Sequence, residues 1–366
     1  MGSIPAQVAH ITVAWLNDTL AAHGEVGRIE SFEAERLGEG VGILGELARL
    51  SVSYEPGEHG PATIIAKCQS PAPENQFLAQ MMGFYLREVN VYRQIADRFG
   101  DIGLRVPHAY HVDAGDDGLP FVLLLEDIAG AHCPDQIAGL TPHDARRIVD
   151  EVAKLHARFW DSPELDEMPW LPPMNNPLYK AGQGMALARF PGFAERFGDR
   201  IDAEMLADIE RACHHYPEML DHVAAQPNRT FTHTDCRAEN YLFGGPAGTD
   251  TVTMVDFQLA TRHFGPWDVA NLLAGSMTPE VRRSCENDLV EHYHRRLGEL
   301  GVAGYSLDQC WLDYRRSLLQ SCTASVIVSD LQGGNERGVE LLENLFLRPI
   351  IAATDHHVGD LLGEFC

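Results

Sequence analysis

A chain of 366 residues, 45% hydrophobic and 22% charged, has the apolar content for one large or two ordinary cores and predicts a soluble, globular protein. Its net charge of -25, with no clustered Lys/Arg stripe, excludes a nucleic-acid partner, because phosphate binding needs such a stripe. No apolar run is long enough to span a membrane and the N-terminus lacks a basic, then apolar, leader, so no membrane span is expected and the chain is placed in the cytoplasm.

The acidic balance itself has two readings, a solubilising surface or an attraction for basic substrates. The eight cysteines show no CxxC spacing, so neither a disulfide framework nor a structural zinc site is expected, and reduced thiols are the default.

In chain order, an amphipathic helix is expected over Gln7 to Ala22, then a strand over Ile29 to Leu37. The glycines at 38, 40, 42 and 45 interrupt the alternation, which resumes from Glu46 to Tyr54. This is a strand, glycine turn, strand. The formal GxGxxG at Gly40, Gly42 and Gly45 is no dinucleotide fingerprint, because that needs a helix directly after the glycines. Two readings stand for the hairpin, a simple tight turn or a cover over phosphates.

An apolar strand, Ala62 to Lys67, ends in a single lysine, and a helix follows from Gln76 to Phe99. Phe84, Tyr85, Val89, Tyr92 and Ile95 share one face of that helix with Glu88 beside them, where Glu88 would meet the Lys67 ammonium. Taken singly, Lys67 and Glu88 read as solvated surface charges; only their order after a glycine hairpin shifts the balance towards a pair. Strands are expected at Val106 to Val112 and Pro120 to Asp127, which completes a small antiparallel sheet. From about residue 128 the pattern turns to helices, at 141–160, 202–225, 279–300, 307–331 and 338–362, with a Pro-rich and aromatic stretch at 163–179. The expected fold class is α+β, with a sheet lobe over residues 1–127 and a larger, mostly helical lobe over 128–366.

The densest chemical signal is His233-Thr234-Asp235-Cys236-Arg237-Ala238-Glu239-Asn240, followed by Val255-Asp256-Phe257-Gln258. One carboxylate (Asp235) is spaced to orient and deprotonate a hydroxyl, and an amide (Asn240) with a second carboxylate (Asp256) to hold Mg²⁺ against ATP phosphates. Together with Leu155-His156-Ala157-Arg158-Phe159-Trp160 and Gly265-Pro266-Trp267-Asp268-Val269-Ala270-Asn271-Leu272, these segments resemble the aminoglycoside phosphotransferase and choline kinase superfamily, of bilobal protein-kinase-like fold. Within it, Asp256-Phe257-Gln258 and the Gly38 to Gly45 pattern are most similar to the ecdysteroid-kinase-like branch.

The resemblance implies an ATP- and Mg²⁺-dependent transfer of the γ-phosphoryl to a hydroxyl of a small molecule. It assigns Asp235 to the hydroxyl proton, Asn240 and Asp256 to the metal, and Lys67, held by Glu88, to the α- and β-phosphates. The backbone of Glu126 to Ile128 would meet the adenine edge, and Gly38, Gly40 and Gly42 would lie over the phosphates. Arg237 has two readings, neutralising the transferred phosphoryl or pairing with Glu239. His233 reads as a packed loop residue, and Asp268 as a tie on the catalytic loop or a cap on the helix after it.

Gln258 replaces the glycine on which protein kinases flip this segment, and the short interval to Gly265 leaves no room for a peptide-docking loop, so a small acceptor is expected over a protein. Walls for it include Trp160, Trp170, Tyr179, Phe190, Phe193, Phe264 and Trp267, which serve equally as core; the acidic 161–167 segment would suit a cation or be plain surface. Two alternatives remain from sequence: an aminoglycoside or other antibiotic O-phosphotransferase, and a catalytically idle nucleotide-binding pseudokinase that acts through a partner.

Overall fold

The computed structural model describes residues 3–21, 24, 26–38, 44–332 and 334–365. The chain forms two compact units, one of residues 1–101, 105–132 and 242–259, the other of 102–104, 133–241 and 260–366.

The first unit is built on a five-stranded antiparallel sheet of β1 (Ile29–Leu37), β2 (Gly45–Tyr54), β3 (Thr63–Gln69), β4 (Ala109–Ala114) and β5 (Phe121–Glu126), in the order β1-β2-β3-β5-β4. Alternation along β3 sends Ile64, Ala66 and Cys68 to one face, where they join Leu16, Leu20, Leu50 and Leu124 in a buried core. Helix α1 (Val13–Leu20) closes that core. The intervening Ile65 and Lys67 point to the opposite face, where Tyr85, Val89 and Tyr92 pack on Phe121, Leu123 and Leu125. The strand therefore delivers one charged side chain into an apolar layer.

Two expected helices differ in extent. The opening helix starts only at Val13, because Thr12 is extended and its hydroxyl accepts the Trp15 N–H as an N-cap. The 76–99 helix is three: α2 (Pro73–Met82), α3 (Phe84–Gln94) and α4 (Ala96–Asp101). Gly83 breaks it first, at φ 71 in the left-handed region. The fourth strand lies at 109–114 in place of 106–112, since His108 already accepts from the Glu126 N–H and its own N–H turns to the Glu126 carboxylate.

The second unit is mostly helical, with α5 (Pro142–Phe159), α6 (Pro177–Lys180), α7 (Gly182–Phe197), α8 (Ala203–His214), α9 (Tyr216–Ala224), α10 (Pro266–Ser276), α11 (Pro279–Glu299), α12 (Leu307–Ile327) and α13 (Glu336–Asp355). Strands Arg229–Thr232 and Thr261–Phe264 pair antiparallel within it. The expected 202–225 helix is split into α8 and α9, because Pro217 has no N–H for the ladder and instead occupies the first turn of α9. Helix α7 was not expected, its pattern being hidden by Gly182, Gly184, Pro191 and Gly192. Ala186, Phe190, Phe193 and Phe197 nevertheless recur at helical spacing and are buried. No helix among the described residues is long and apolar enough to cross a membrane. The described cysteines are free thiols.

Candidate active site

The first unit assembles a buried ion cluster from β3, α3 and the 255–258 segment. Lys67 is 8% exposed and Glu88 1%, and the Lys67 ammonium donates to Glu88 Oε1 at 2.9 Å while lying 2.7 Å from Oε2. It also reaches Asp256 Oδ1 at 3.1 Å. Burial alone would lower the Lys67 pKa, but the Asp256 and Glu88 carboxylates outweigh it and the net shift is upward. Burial, helped by Asp256, pushes Glu88 up to about 7 against the pull of Lys67. Both residues are thus found packed and paired, and not as solvated charges. Gly45 fits here because a β-carbon would stand 3.2 Å from the Cys68 carbonyl and 3.6 Å from Lys67 Cε.

Asp256 itself has φ 67, a left-handed conformation that a non-glycine residue rarely adopts. Phe257, fully buried, holds the strand end in place, stacked on Phe99 at 5.6 Å and edge-on to Tyr92 at 6.4 Å. The Gln258 side-chain amide lies 3.4 Å from Asp256 Oδ2.

Of the other residues assigned to nucleotide binding, Glu126 ends β5 and its carboxylate is gripped by Arg105 at 2.6 and 2.7 Å. Its N–H donates to the His108 carbonyl at 2.7 Å, and its Cα pairs with Ile64 in the β3–β5 ladder. Ile128 packs beside Gly245, whose φ is 90 and whose added β-carbon would stand 2.7 Å from Ile128 Cγ2. Gly38 closes β1 at φ 70, which is why glycine is used there. Gly40 and Gly42 lie outside the described residues.

The second unit holds Asp235, Arg237 and Asn240 on one loop. The Asn240 amide nitrogen donates to the Asp235 carbonyl at 2.8 Å and to Asp235 Oδ2 at 2.9 Å, which turns the amide oxygen away as a free acceptor. Arg237 pairs with Glu239 at 2.7 Å and with Asp235 Oδ2 at 3.3 Å, so the expected Glu239 partner is present together with a second carboxylate. His233 is fully buried, as expected of a packed loop residue.

The loop backbone is fixed by Asp268. Its Oδ2 accepts the His233 N–H at 2.6 Å and its Oδ1 the Thr234 N–H at 2.8 Å, while Thr234 stands at φ 71. Asp268 is not the cap of α10, since Gly265 takes that position and Asp268 lies in the first turn. Behind it, His156 Nε2 donates to Asp268 Oδ2 at 3.1 Å and Nδ1 shares a hydrogen with the Tyr293 hydroxyl at 2.8 Å. Gly265 permits this approach, because a β-carbon there would collide with Tyr293 and His156. Gln136 and Ser276 anchor the far side of the loop by accepting the Ala238 N–H at 2.9 Å each. Tyr293, Gln136 and Ser276 carry no local motif and were not anticipated; His156 stood inside a quoted motif without a role.

The proposed acceptor walls are largely committed elsewhere. Phe190, Phe193, Phe264 and Trp267 are buried, and the Trp160 ring packs on Tyr305, tilted by 58° with centroids 4.8 Å apart. In the acidic segment, Asp166 pairs with Arg229 and Arg262, and Glu164 with Arg158.

Residues 39–301 match the model of the ecdysteroid kinase-like family. The chain belongs to this family. Among solved structures it is similar to choline kinase from Cryptosporidium parvum Iowa II, at 11% identity and TM-score 0.53, covering 94% of this chain and 96% of that one. It is also similar to an ethanolamine kinase of Plasmodium vivax, at 10% identity and TM-score 0.51, covering 89% and 85%. An amicoumacin kinase in complex with AMP-PNP, Ca²⁺ and its ligand gives 10% identity and TM-score 0.51, covering 91% and 92%. No curated protein sequence gives a significant match. The family and the kinase-like α+β fold expected from the motifs are therefore both borne out.

Proposed function

We propose that the chain is an ATP- and Mg²⁺-dependent phosphotransferase acting on a hydroxyl of a small molecule. The observation that carries this reading is the buried Lys67–Glu88 pair with Asp256 3.1 Å from the same ammonium. A buried cation shared by two carboxylates, on a strand next to a glycine hairpin, is the arrangement an ATP phosphate anchor requires. Membership of a kinase-like family supports it.

Asp256 and Asn240 supply the hard oxygen donors that suit Mg²⁺, which typically takes one or two carboxylates and completes its shell with water and phosphate. When bound, Mg²⁺ would neutralise charge on the β- and γ-phosphate oxygens.

In the proposed reaction, the acceptor oxygen bonds to the γ-phosphorus, the bond from that phosphorus to the β,γ-bridging oxygen breaks, and ADP leaves. The hydroxyl proton passes to Asp235, which Asn240 and Arg237 hold in place. Lys67 contacts the α- and β-phosphates, and the Glu126 carbonyl and Ile128 N–H face adenine. Arg237 lends positive charge to the loop beside Asp235, where it would offset charge on the transferred group. The strand at Thr261–Phe264 and the immediate start of α10 at Pro266 leave no peptide-docking loop, which favours a small acceptor. The solved relatives named choline and ethanolamine kinases point the same way.

An ATP-consumption screen over hydroxylated metabolites, sterols, sugars and antibiotics tests the proposal. Acceptor-dependent ADP release with a phosphorylated product is expected. Absence of both turnover and any thermal shift with ATP and Mg²⁺ would overturn it, while a thermal shift without turnover would favour a nucleotide-binding protein that acts through a partner.

A further inference from the structure

We propose that Arg87 is a positioning residue that clamps the 256–258 backbone at the Gln258 carbonyl and so aims the Asp256 carboxylate at the metal. The proposal rests on the phosphotransferase reading above for the identity of that metal.

Arg87 and Glu88 are consecutive on α3, yet both are buried, Arg87 at 2% exposure. Arg87 Nη1 donates to the Gln258 carbonyl at 3.2 Å, and Nη2 donates to the Met82 carbonyl at 2.9 Å. Its guanidinium also stands 5.6 Å from the centre of the Phe84 ring. Glu88 meanwhile holds the Lys67 ammonium, which also donates to Asp256 Oδ1 at 3.1 Å. One helix thus holds the Gln258 carbonyl directly and the Asp256 carboxylate through Lys67, on either side of Phe257, with Asp256 in a left-handed conformation.

Such a conformation persists only where the surroundings over-determine it. The clamp supplies that constraint. It also accounts for Gln258 at a position where glycine would permit a flip: with its carbonyl bound by Arg87 and its amide beside Asp256 Oδ2, the residue holds the segment in one state. A guanidinium suits this task because its rigid planar fork can serve two carbonyls at once, Met82 at the end of α2 and Gln258.

A purely structural Arg87, capping the last carbonyls of α2, would lower stability and leave the metal requirement alone. The test uses the full chain with Arg87→Met and Arg87→Lys. In the nucleotide-free protein, exchange of the Phe257 amide measured by NMR should quicken at least about tenfold in Arg87→Met, with β3 and β5 amides unchanged. Loss of an outer-sphere support for a metal ligand typically weakens metal binding about 10–100-fold. Accordingly the Mg²⁺ concentration giving half the thermal stabilisation by ATP should rise by that factor, while stabilisation by ATP in EDTA stays within about twofold. Arg87→Lys, which keeps the charge but loses the planar fork that reaches both carbonyls, should fall between, and it carries the test should the Met variant not fold.

Unchanged Phe257 exchange would overturn the clamp. Faster exchange with an unchanged Mg²⁺ requirement would overturn the positioning role. A wild-type protein with no response to ATP and Mg²⁺ would instead remove the phosphotransferase reading, and the metal role of Arg87 with it, even where the exchange result supports the clamp.

Discussion

His156 Nε2 lies 3.1 Å from Asp268 Oδ2 with both side chains fully buried, and the same carboxylate oxygen accepts the His233 N–H at 2.6 Å. A histidine on α5 and an aspartate on α10 are thereby linked to the peptide two residues before Asp235. In Asp268→Asn, an amide NH₂ must replace one accepting oxygen and face a backbone N–H or His156. Leaving a buried donor unsatisfied costs about 1–3 kcal/mol. A loss of that order in urea unfolding is expected, and a variant as stable as wild type would mean that the loop does not depend on Asp268.

Asp235→Asn is close in shape to the native side chain and removes the proposed base. Turnover should fall about 10²–10⁴-fold, the usual contribution of a positioned general base. The thermal shift produced by ATP with Mg²⁺ should persist. Wild-type-like turnover would take Asp235 out of its assigned role.

Lys67→Met strands Glu88 in an apolar layer beside Asp256. Breaking one partner out of a buried pair typically costs about 3–5 kcal/mol. The double variant Lys67→Met/Glu88→Gln removes the orphaned charge as well, so it should recover at least half of that loss. Additive losses from the two single variants would show that the pair is not coupled.

His263 offers a pH signature. Burial drives its pKa from 6.5 down to about 4, and the Phe264 N–H, donated to Nδ1 at 2.8 Å, fixes the neutral tautomer with Nε2 facing Gln320 Oε1. A base whose folded pKa is depressed gives stability that is complete above 6.5 and is lost as pH falls towards 4. The unfolded chain takes up a proton there that the fold refuses, a loss of about 3 kcal/mol by pH 4. Chemical denaturation from pH 7 to 4 should show that slope, and His263→Gln should flatten it; an unchanged slope in the variant would assign the acid lability to other groups.

Gly245→Ala joins two costs, a β-carbon at φ 90 and a contact of 2.7 Å with Ile128 Cγ2. A destabilisation of about 1–3 kcal/mol is expected from the strained backbone. Because Ile128 must shift, the affinity for ATP, measured by titration calorimetry, should fall more than that of a control such as Gly248→Ala, where the nearest atom is 4.0 Å away.

Much of this was legible along the chain because it is local. The lysine ending an apolar strand and the helical spacing of Tyr85, Val89 and Tyr92, with Glu88 beside that face, made a Lys67–Glu88 pair one of two readings before any coordinates. The spacing of Asp235, Asn240 and Asp256 similarly carried the family. Helix extents were less legible: Gly83 and Pro217 cut two expected helices, and the glycines and proline of α7 hid a third.

The amino-acid sequence, read alone, determined the family, the α+β class and the residue types of the candidate site, because periodicity and motif spacing are properties of neighbouring positions. It left open whether Lys67 and Glu88 were paired, whether Arg237 met Glu239, and which side chains held the loop. Tertiary folding decided those, bringing Arg87 to Gln258, His156 to Asp268, Tyr293 to His156, and Gln136 to Ala238. These partners lie far apart in the chain and repeat at no period. They are selected by the need of each buried polar group to find a partner, a condition that exists only once the chain has packed.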